Sequence, residues 1–297
     1  MQLDYHLLDV FTNQPFGGNQ LAVFPGPPAD LPASIMQKIA KELNLSETTF
    51  VLPPADADKD FRLRIFTPAA ELPMAGHPTV GSAWLLAKLG LASGERIVFE
   101  EGVGPIGVTI VRDEAGQPRE TWMQQPIPKF GDIVDDRALV AKMLSLDEVS
   151  LSTRAPIQAV SSGLPFLFVP LTGLDAMSRI SLRLEIWRER FAESSAPQIF
   201  ATTTETSQPE SAAHSRMFAP GLGIAEDAAT GSASGPLGAY LLRYGLAETE
   251  NMLVEQGFEM GRPSLIKVRV GRRRGKITQV AVGGESVYLG AGKLLLD

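Results

Sequence analysis

ELPMAGHPTVGSAWLLAKLGLA, residues 71–92, is matched 155 residues later by EDAATGSASGPLGAYLLRYGLA, residues 226–247. The offset pairs Glu71 with Glu226, Gly76 with Gly231, Lys88 with Arg243 and Gly90 with Gly245, and it closes with Leu91-Ala92 over Leu246-Ala247. Upstream, Arg64-Ile65-Phe66-Thr67-Pro68 is similar to Arg216-Met217-Phe218-Ala219-Pro220 at a spacing shorter by three residues. A strand, a turn and a helix occurring twice in this order predict a duplicated architecture with two similar halves.

Both repeated helices are apolar almost all round. From Pro78 to Leu89 only Lys88 is charged, and from Pro236 to Tyr244 only Arg243. A helix without a polar face has to be buried. The expected fold therefore has two similar halves, each wrapping its strands around a central buried helix. At 297 residues the chain suits two domains of about 150 residues each. The boundary is placed at 127/128, giving an N-terminal half 1–127 and a C-terminal half 128–297 whose last strand returns to the first. Small residues before each helix, Ala75-Gly76 and Thr230-Gly231-Ser232, leave its first N–H groups free. With the helix dipole these make a seat for carboxylates.

The remaining elements read off pattern. Residues 2–10 alternate as a strand, Gln20–Phe24 is a second, and Ile35, Ile39 and Leu43 mark a helix that opens at Pro32 and stops near Asn44. The β-prone run Thr48–Leu52 follows directly, so Glu47 stands where a helix hands over to a strand. Phe61–Phe66 is a strand leading into the first repeat, PIPKFGD reads as a linker, and Asp136–Leu144 and Leu184–Phe191 as helices. Gln198–Thr203 and His214–Phe218 are strands, and SLIKVRV with KITQVAV is a hairpin turning through Arg272-Arg273-Arg274. The paired glycines of the loop TNQPFGGN, residues 12–19, let backbone approach a neighbour closely beside Asn19.

Composition removes several classes of function. A net charge of −7, with one basic run at a hairpin turn, disfavours nucleic acid. No apolar run reaches the roughly 20 residues of a membrane span. The first residues do not form a basic and then apolar leader, so a cytoplasmic address is expected. There is no cysteine, which excludes disulfides and thiol nucleophiles of the chain's own. The three histidines, His6, His77 and His214, lack metal-ligand spacing, so no metal is expected. GSASG at 231–235 is not a nucleophile elbow, because Ala233 stands where the serine would be. The ionisable candidates near turns are Glu47, His77 and Asp227, with Ser232 and the backbones of Gly76 and Gly231 as donors. A cleft bearing these groups suits either an enzyme or a non-catalytic binder of carboxylate metabolites.

The segments GGNQLAVF, NLSETTFV, FTPAAELPMAGHPTVGSA, FAPGLGIAEDAATGSASGPL and EQGFEMGRPS together resemble the PhzF family of phenazine-biosynthesis isomerases, in that family's order and over nearly the whole chain. The resemblance implies a diaminopimelate epimerase-like fold, α/β of the α+β kind, with two pseudo-symmetric halves, each a barrel-like, mostly antiparallel sheet around its central buried helix, and with the site between the halves. It implies a homodimer and a cofactor-independent isomerase acting on a small unsaturated carboxylate such as a dihydro-hydroxyanthranilate. It makes Glu47 the single general acid/base. The substrate contacts are Asn19, Gly76 and His77 on one side and Asp227, Gly231 and Ser232 on the other. In the epimerase relatives two thiols face each other; the internal alignment puts Ala75 and Thr230 at those positions, which leaves a one-base mechanism. Ala228 departs from the family's usual proline and is expected to loosen that turn without removing a reacting group.

Overall fold

A computed structural model describes residues 1–296, and the chain forms two compact units. The first comprises Met1–Gln124 and the chain from Val282 onward; the second is Gln125–Ala281. The first opens with strands β1 (Gln2–Val10) and β2 (Asn19–Pro25), helix α1 (Ala33–Leu43), and strands β3 (Glu47–Leu52), β4 (Phe61–Phe66) and β5 (Glu71–Leu72). Helix α2 (Gly76–Lys88) and strands β6 (Arg96–Glu101), β7 (Gly104–Arg112) and β8 (Pro118–Gln125) follow. The second unit contains β9 (Lys129–Ile133), α3 (Arg137–Met143), β10 (Gln158–Ser161), β11 (Pro165–Pro170), α4 (Leu174–Ser178) and α5 (Leu184–Arg190). It continues with β12 (Gln198–Thr203), β13 (Ala213–Ala219), β14 (Ile224–Asp227), α6 (Gly231–Arg243), β15 (Asn251–Gln256) and β16 (Ser264–Arg273). Along β17 (Lys276–Gly284) the chain passes back to the first unit and ends on β18 (Ser286–Leu295).

In the first unit the strands pair in the order β18, β1, β2, β3, β4, β6, β7, β8; only β2–β3 and β4–β6 are parallel. Helix α2 packs on β1, β2 and β3 and also on β7 and β18, so the sheet curves round it. Every residue from Gly76 to Ala87 is buried. Packing is tight enough that a Cβ at Gly81 would lie 2.6 Å from Val10 Cγ2 and 2.7 Å from Leu21 Cδ2. The second unit repeats the scheme as β9, β10, β11, β12, β13, β15, β16 around α6, with β11–β12 and β13–β15 parallel. The two similar halves read from the duplicated stretch, and the pseudo-symmetric α+β fold implied by the resemblance, are both observed. The two central helices begin and end at the same offset of 155 residues, 76–88 and 231–243.

Strand alternation decides which side chains reach the central helix. On β3, Thr49 Oγ1 lies 3.0 Å from Ser82 Oγ of α2. Phe50 points the other way, stacks on Phe24 at 4.8 Å and joins the core beneath α1. Glu47, two residues before Thr49, therefore faces α2. Helix α1 is stopped by Asn44 in the left-handed region (φ 51°), whose N–H bonds Ala40 O, and this delivers the chain into β3. On β12, Phe200 meets Phe168, which meets Tyr240 of α6, while Ile199 and Ala201 belong to the core under α3, α4 and α5.

Three sequence expectations need correction. Residues 126–132 are not a linker: Lys129–Ile133 form β9, paired with β10, and the prolines precede the strand, where no ladder N–H is lost. Helix α6 starts at Gly231 rather than Pro236; the proline sits inside it and forfeits only the bond to Ser232 O. Helix α2 likewise starts at Gly76, two residues before Pro78. The arginine run is a tight turn as expected, with Arg274 (φ 51°) and Gly275 (φ 75°) both left-handed between β16 and β17.

Candidate active site

The first unit gathers Asn19, Glu47, Gly76 and His77. Asn19 opens β2, Glu47 opens the neighbouring parallel β3, and Gly76 and His77 are the first residues of α2. Asn19 Nδ2 lies 3.1 Å from His77 Nδ1, and His77 Nε2 lies 3.2 Å from Glu47 Oε2. With the Asn19 amide as donor, Nδ1 is the acceptor and the ring proton sits on Nε2, which makes no hydrogen bond of its own: its approach to Glu47 is a contact only. Burial is complete enough to push the His77 pKa down to about 3, with the Gln20 backbone opposing it weakly. The contact is thus between a neutral imidazole and a carboxyl group, not an ion pair. Ala75 supplies no side-chain cap, so the first turn of α2 keeps N–H groups for a ligand.

The second unit gathers Asp227, Gly231 and Ser232 where β14 turns into α6, all buried. Thr230 Oγ1 donates to Asp227 Oδ2 at 2.7 Å and gives no cap to the helix. The Gln256 side chain bridges this turn: Nε2 donates to Asp227 O (2.8 Å) and Thr230 Oγ1 (2.9 Å), and Oε1 accepts from Thr230 N (2.9 Å). Ser264 Oγ donates to Ala228 O at 2.8 Å. The turn is therefore held by side chains from outside it, Gln256 and Ser264, with Ala228 between them.

A buried carboxyl beside a neutral imidazole at a bare helix N-terminus is equipped to bind a carboxylate and to move a proton. Among the described residues no group of three or more His, Asp or Glu side chains is arranged to hold a metal ion. No helix among them is long and apolar enough to cross a membrane.

The sequence profile of the phenazine biosynthesis-like proteins (PhzC-PhzF) matches residues 8–292. The chain belongs to this family. It is 37% identical to the trans-2,3-dihydro-3-hydroxyanthranilate isomerase of Pseudomonas fluorescens, over 99% of both chains. Its fold matches the crystal structure of the PhzF-family phenazine biosynthesis protein of Bacillus anthracis, with a TM-score of 0.88, 28% identity and complete coverage of both. A probable proline racemase from Agrobacterium radiobacter K84 shares the fold at a TM-score of 0.68 and 10% identity, over 99% of this chain and 93% of that one.

Three side chains not singled out in the sequence complete the picture. Glu101 and Gln256 occupy the same place behind the two helix-opening turns, and the 155-residue offset that relates the helices also relates Glu100-Glu101-Gly102 to Glu255-Gln256-Gly257. Glu100 accepts from the backbone N–H groups of Ala55 and Asp56, and Glu255 from those of Ser207 and Gln208. Extending the repeat ten residues past Ala92 finds both. Gln198 is the third. Its pairing with Phe166 mirrors that of Glu47 with Leu21, so a proton-inert amide in the second unit occupies the register of Glu47 in the first.

Proposed function

We propose that the chain is an isomerase that shifts a proton and a double bond on a small unsaturated carboxylate of the dihydro-hydroxyanthranilate type. The observation that carries this reading is Glu47, buried beside neutral His77 at the uncapped start of α2, in a chain 37% identical over its length to a trans-2,3-dihydro-3-hydroxyanthranilate isomerase. In this mechanism Glu47 takes the proton from one carbon. The C–H electron pair forms the new double bond, and the old double bond's pair takes the proton back from Glu47 at another carbon. No net oxidation or reduction occurs, and one carboxyl group alternates as base and acid. Neutral His77 donates from Nε2 without bringing a second charge, and Asn19 fixes its tautomer. The N–H groups opening α2 and α6 hold substrate oxygens, with Asp227 and Ser232 as further contacts. Gln198, whose amide is neither an acid nor a base near neutral pH, is consistent with a single base.

Glu47→Gln keeps the shape and removes the base. With trans-2,3-dihydro-3-hydroxyanthranilate in deuterated water, the wild type is expected to form isomer and E47Q to fall by about 100- to 10,000-fold in kcat, the scale of losing the reacting acid/base. Wild-type turnover retained by E47Q would falsify the assignment. Calorimetric binding of the same compound without isomer or deuterium incorporation in the wild-type protein would mark a binder instead. Light scattering of the purified chain tests the homodimer proposed with this reading.

A further inference from the structure

Glu101 closes β6 with only 6% of its surface exposed, and its Oε2 has no hydrogen-bond partner. Its Oε1 lies 2.7 Å from Thr79 Oγ1 in the first turns of α2. Thr79 Oγ1 also lies 2.7 Å from Ala75 O, the carbonyl at the mouth of the helix. A hydroxyl has one hydrogen, and a carbonyl oxygen only accepts. Were Glu101 ionised, Thr79 would have to donate twice. Both short contacts are satisfied only when Thr79 donates to Ala75 O and Glu101 itself carries the proton donated to Thr79.

The surroundings agree. The ionisable groups lining the same cavity of about 460 Å³ are Arg62 and Arg64 on β4, Glu71 on β5, and Glu100 next to Glu101 on β6. Arg64 is forked onto Glu71 at 2.8 and 2.7 Å, and Arg62 lies 3.8 Å from Glu100, so each arginine has its own carboxylate. Desolvation raises the Glu101 pKa to about 8, and the opposing Thr79 contact acts only if Thr79 is the donor. The duplication adds an independent observation. The counterpart of Glu101 is Gln256, a permanently neutral isostere holding the equivalent turn of α6 through Thr230. The counterpart of Thr79 is Ser234, which donates to Thr230 O at 2.9 Å just as Thr79 does to Ala75 O.

We propose that Glu101 is a positioning residue working as a neutral carboxylic acid: it donates to Thr79, Thr79 donates to Ala75 O, and this relay sets the first turn of α2 with Gly76 and His77. The relay is a property of the folded chain; its effect on turnover rests on the function proposed above. Ionisation of Glu101 takes away the proton it donates and puts an unpaired charge behind that turn.

The relay is tested by carbon NMR of protein labelled at its glutamate carboxyl groups, with Glu101→Gln identifying the resonance. Glu101 is expected in its protonated position at pH 7 and to move as the pH passes about 8. An ionised carboxyl at pH 6 would overturn the proposal. Positioning is read at His77, whose ring does not itself titrate there. Its resonances should shift with the Glu101 transition in the wild type and stay fixed in E101Q; a His77 signal blind to that transition also overturns the proposal. If the chain turns over trans-2,3-dihydro-3-hydroxyanthranilate, KM should rise several-fold between pH 7 and 9 in the wild type and stay level in E101Q. Identical profiles would refute positioning, whereas absence of turnover would count against the proposed reaction and leave the NMR result standing.

Discussion

His77 and His214 are both buried, and their surroundings drive them in opposite directions. His77 meets Asn19 and Glu47 in a desolvated turn and stays neutral, its pKa near 3. His214 is clamped between Glu255 (Nδ1, 2.7 Å) and Glu259 (Nε2, 3.0 Å), and these two carboxylates outweigh burial and raise its pKa. The signs of linkage follow. The stability contribution of His77 is present above its unfolded value of 6.5 and is lost as the pH falls toward 3. That of His214 is present below 6.5 and is lost as the pH rises through its raised folded value. Urea midpoints measured from pH 4 to 9 should show His77→Asn flattening the acid side and His214→Asn flattening the alkaline side. At pH 6, H214N should also cost about 3 kcal/mol, since Glu255 is left buried without its cation. Sequence position was enough to single out Glu47, His77 and Asp227 as groups near turns. Their protonation was not legible, because it depends on which strands cover them and on partners far away in the chain.

The central helices are the elements on which everything else is hung, and their tolerance to change is set by close approach. Gly81→Ala puts a methyl group within 2.6 Å of Val10 Cγ2 and should destabilise by about 1–3 kcal/mol through overpacking. Gly290→Ala on β18 meets nothing within 4 Å and serves as the control. Equilibrium urea unfolding of the two variants checks both. Strands such as Phe61–Phe66 and Gln198–Thr203 were legible to the residue, because FRLRIF alternates apolar side chains with arginine and QIFATT is rich in β-branched and aromatic ones, each between polar loops. The two-residue β5 and the short α4 were not, since neither is long enough to show a period. The start of α6 was hidden for a different reason: a proline five residues into a helix looks like a first turn when only local preference is consulted.

At the level of the whole molecule, the duplication foretold the architecture, and the two copies have diverged in how much each buries. Both hold an Arg–Glu fork next to the helix-opening turn with the arginine over a phenylalanine, Arg64–Glu71 over Phe66 and Arg216–Glu226 over Phe218. Glu71 is 41% exposed and Glu226 19%, Arg64 is 18% exposed and Arg216 9%, and Arg216 also donates to Met177 O and Ile180 O. Glu226→Gln should therefore cost about 3 kcal/mol or more, and Glu71→Gln less than about 1 kcal/mol, by thermal or urea unfolding. Equal losses would show that burial does not separate the two forks. The pairing of β1 with β18, Gln2 opposite Leu295, has a consequence for how the chain is made. A ribosome delivers β1 before the second unit and β18 after it, so the first unit waits with an open sheet edge while the whole second unit is synthesised. Joining residues 296 and 1 through a short glycine linker and opening the exposed Arg274-Gly275 turn would bring β18 and β1 together in sequence. Such a circular permutant should keep the native circular dichroism, and because it makes the β1–β18 closure local while making the β16–β17 closure long-range, its refolding rate against the parent's shows which of the two closures is the slower.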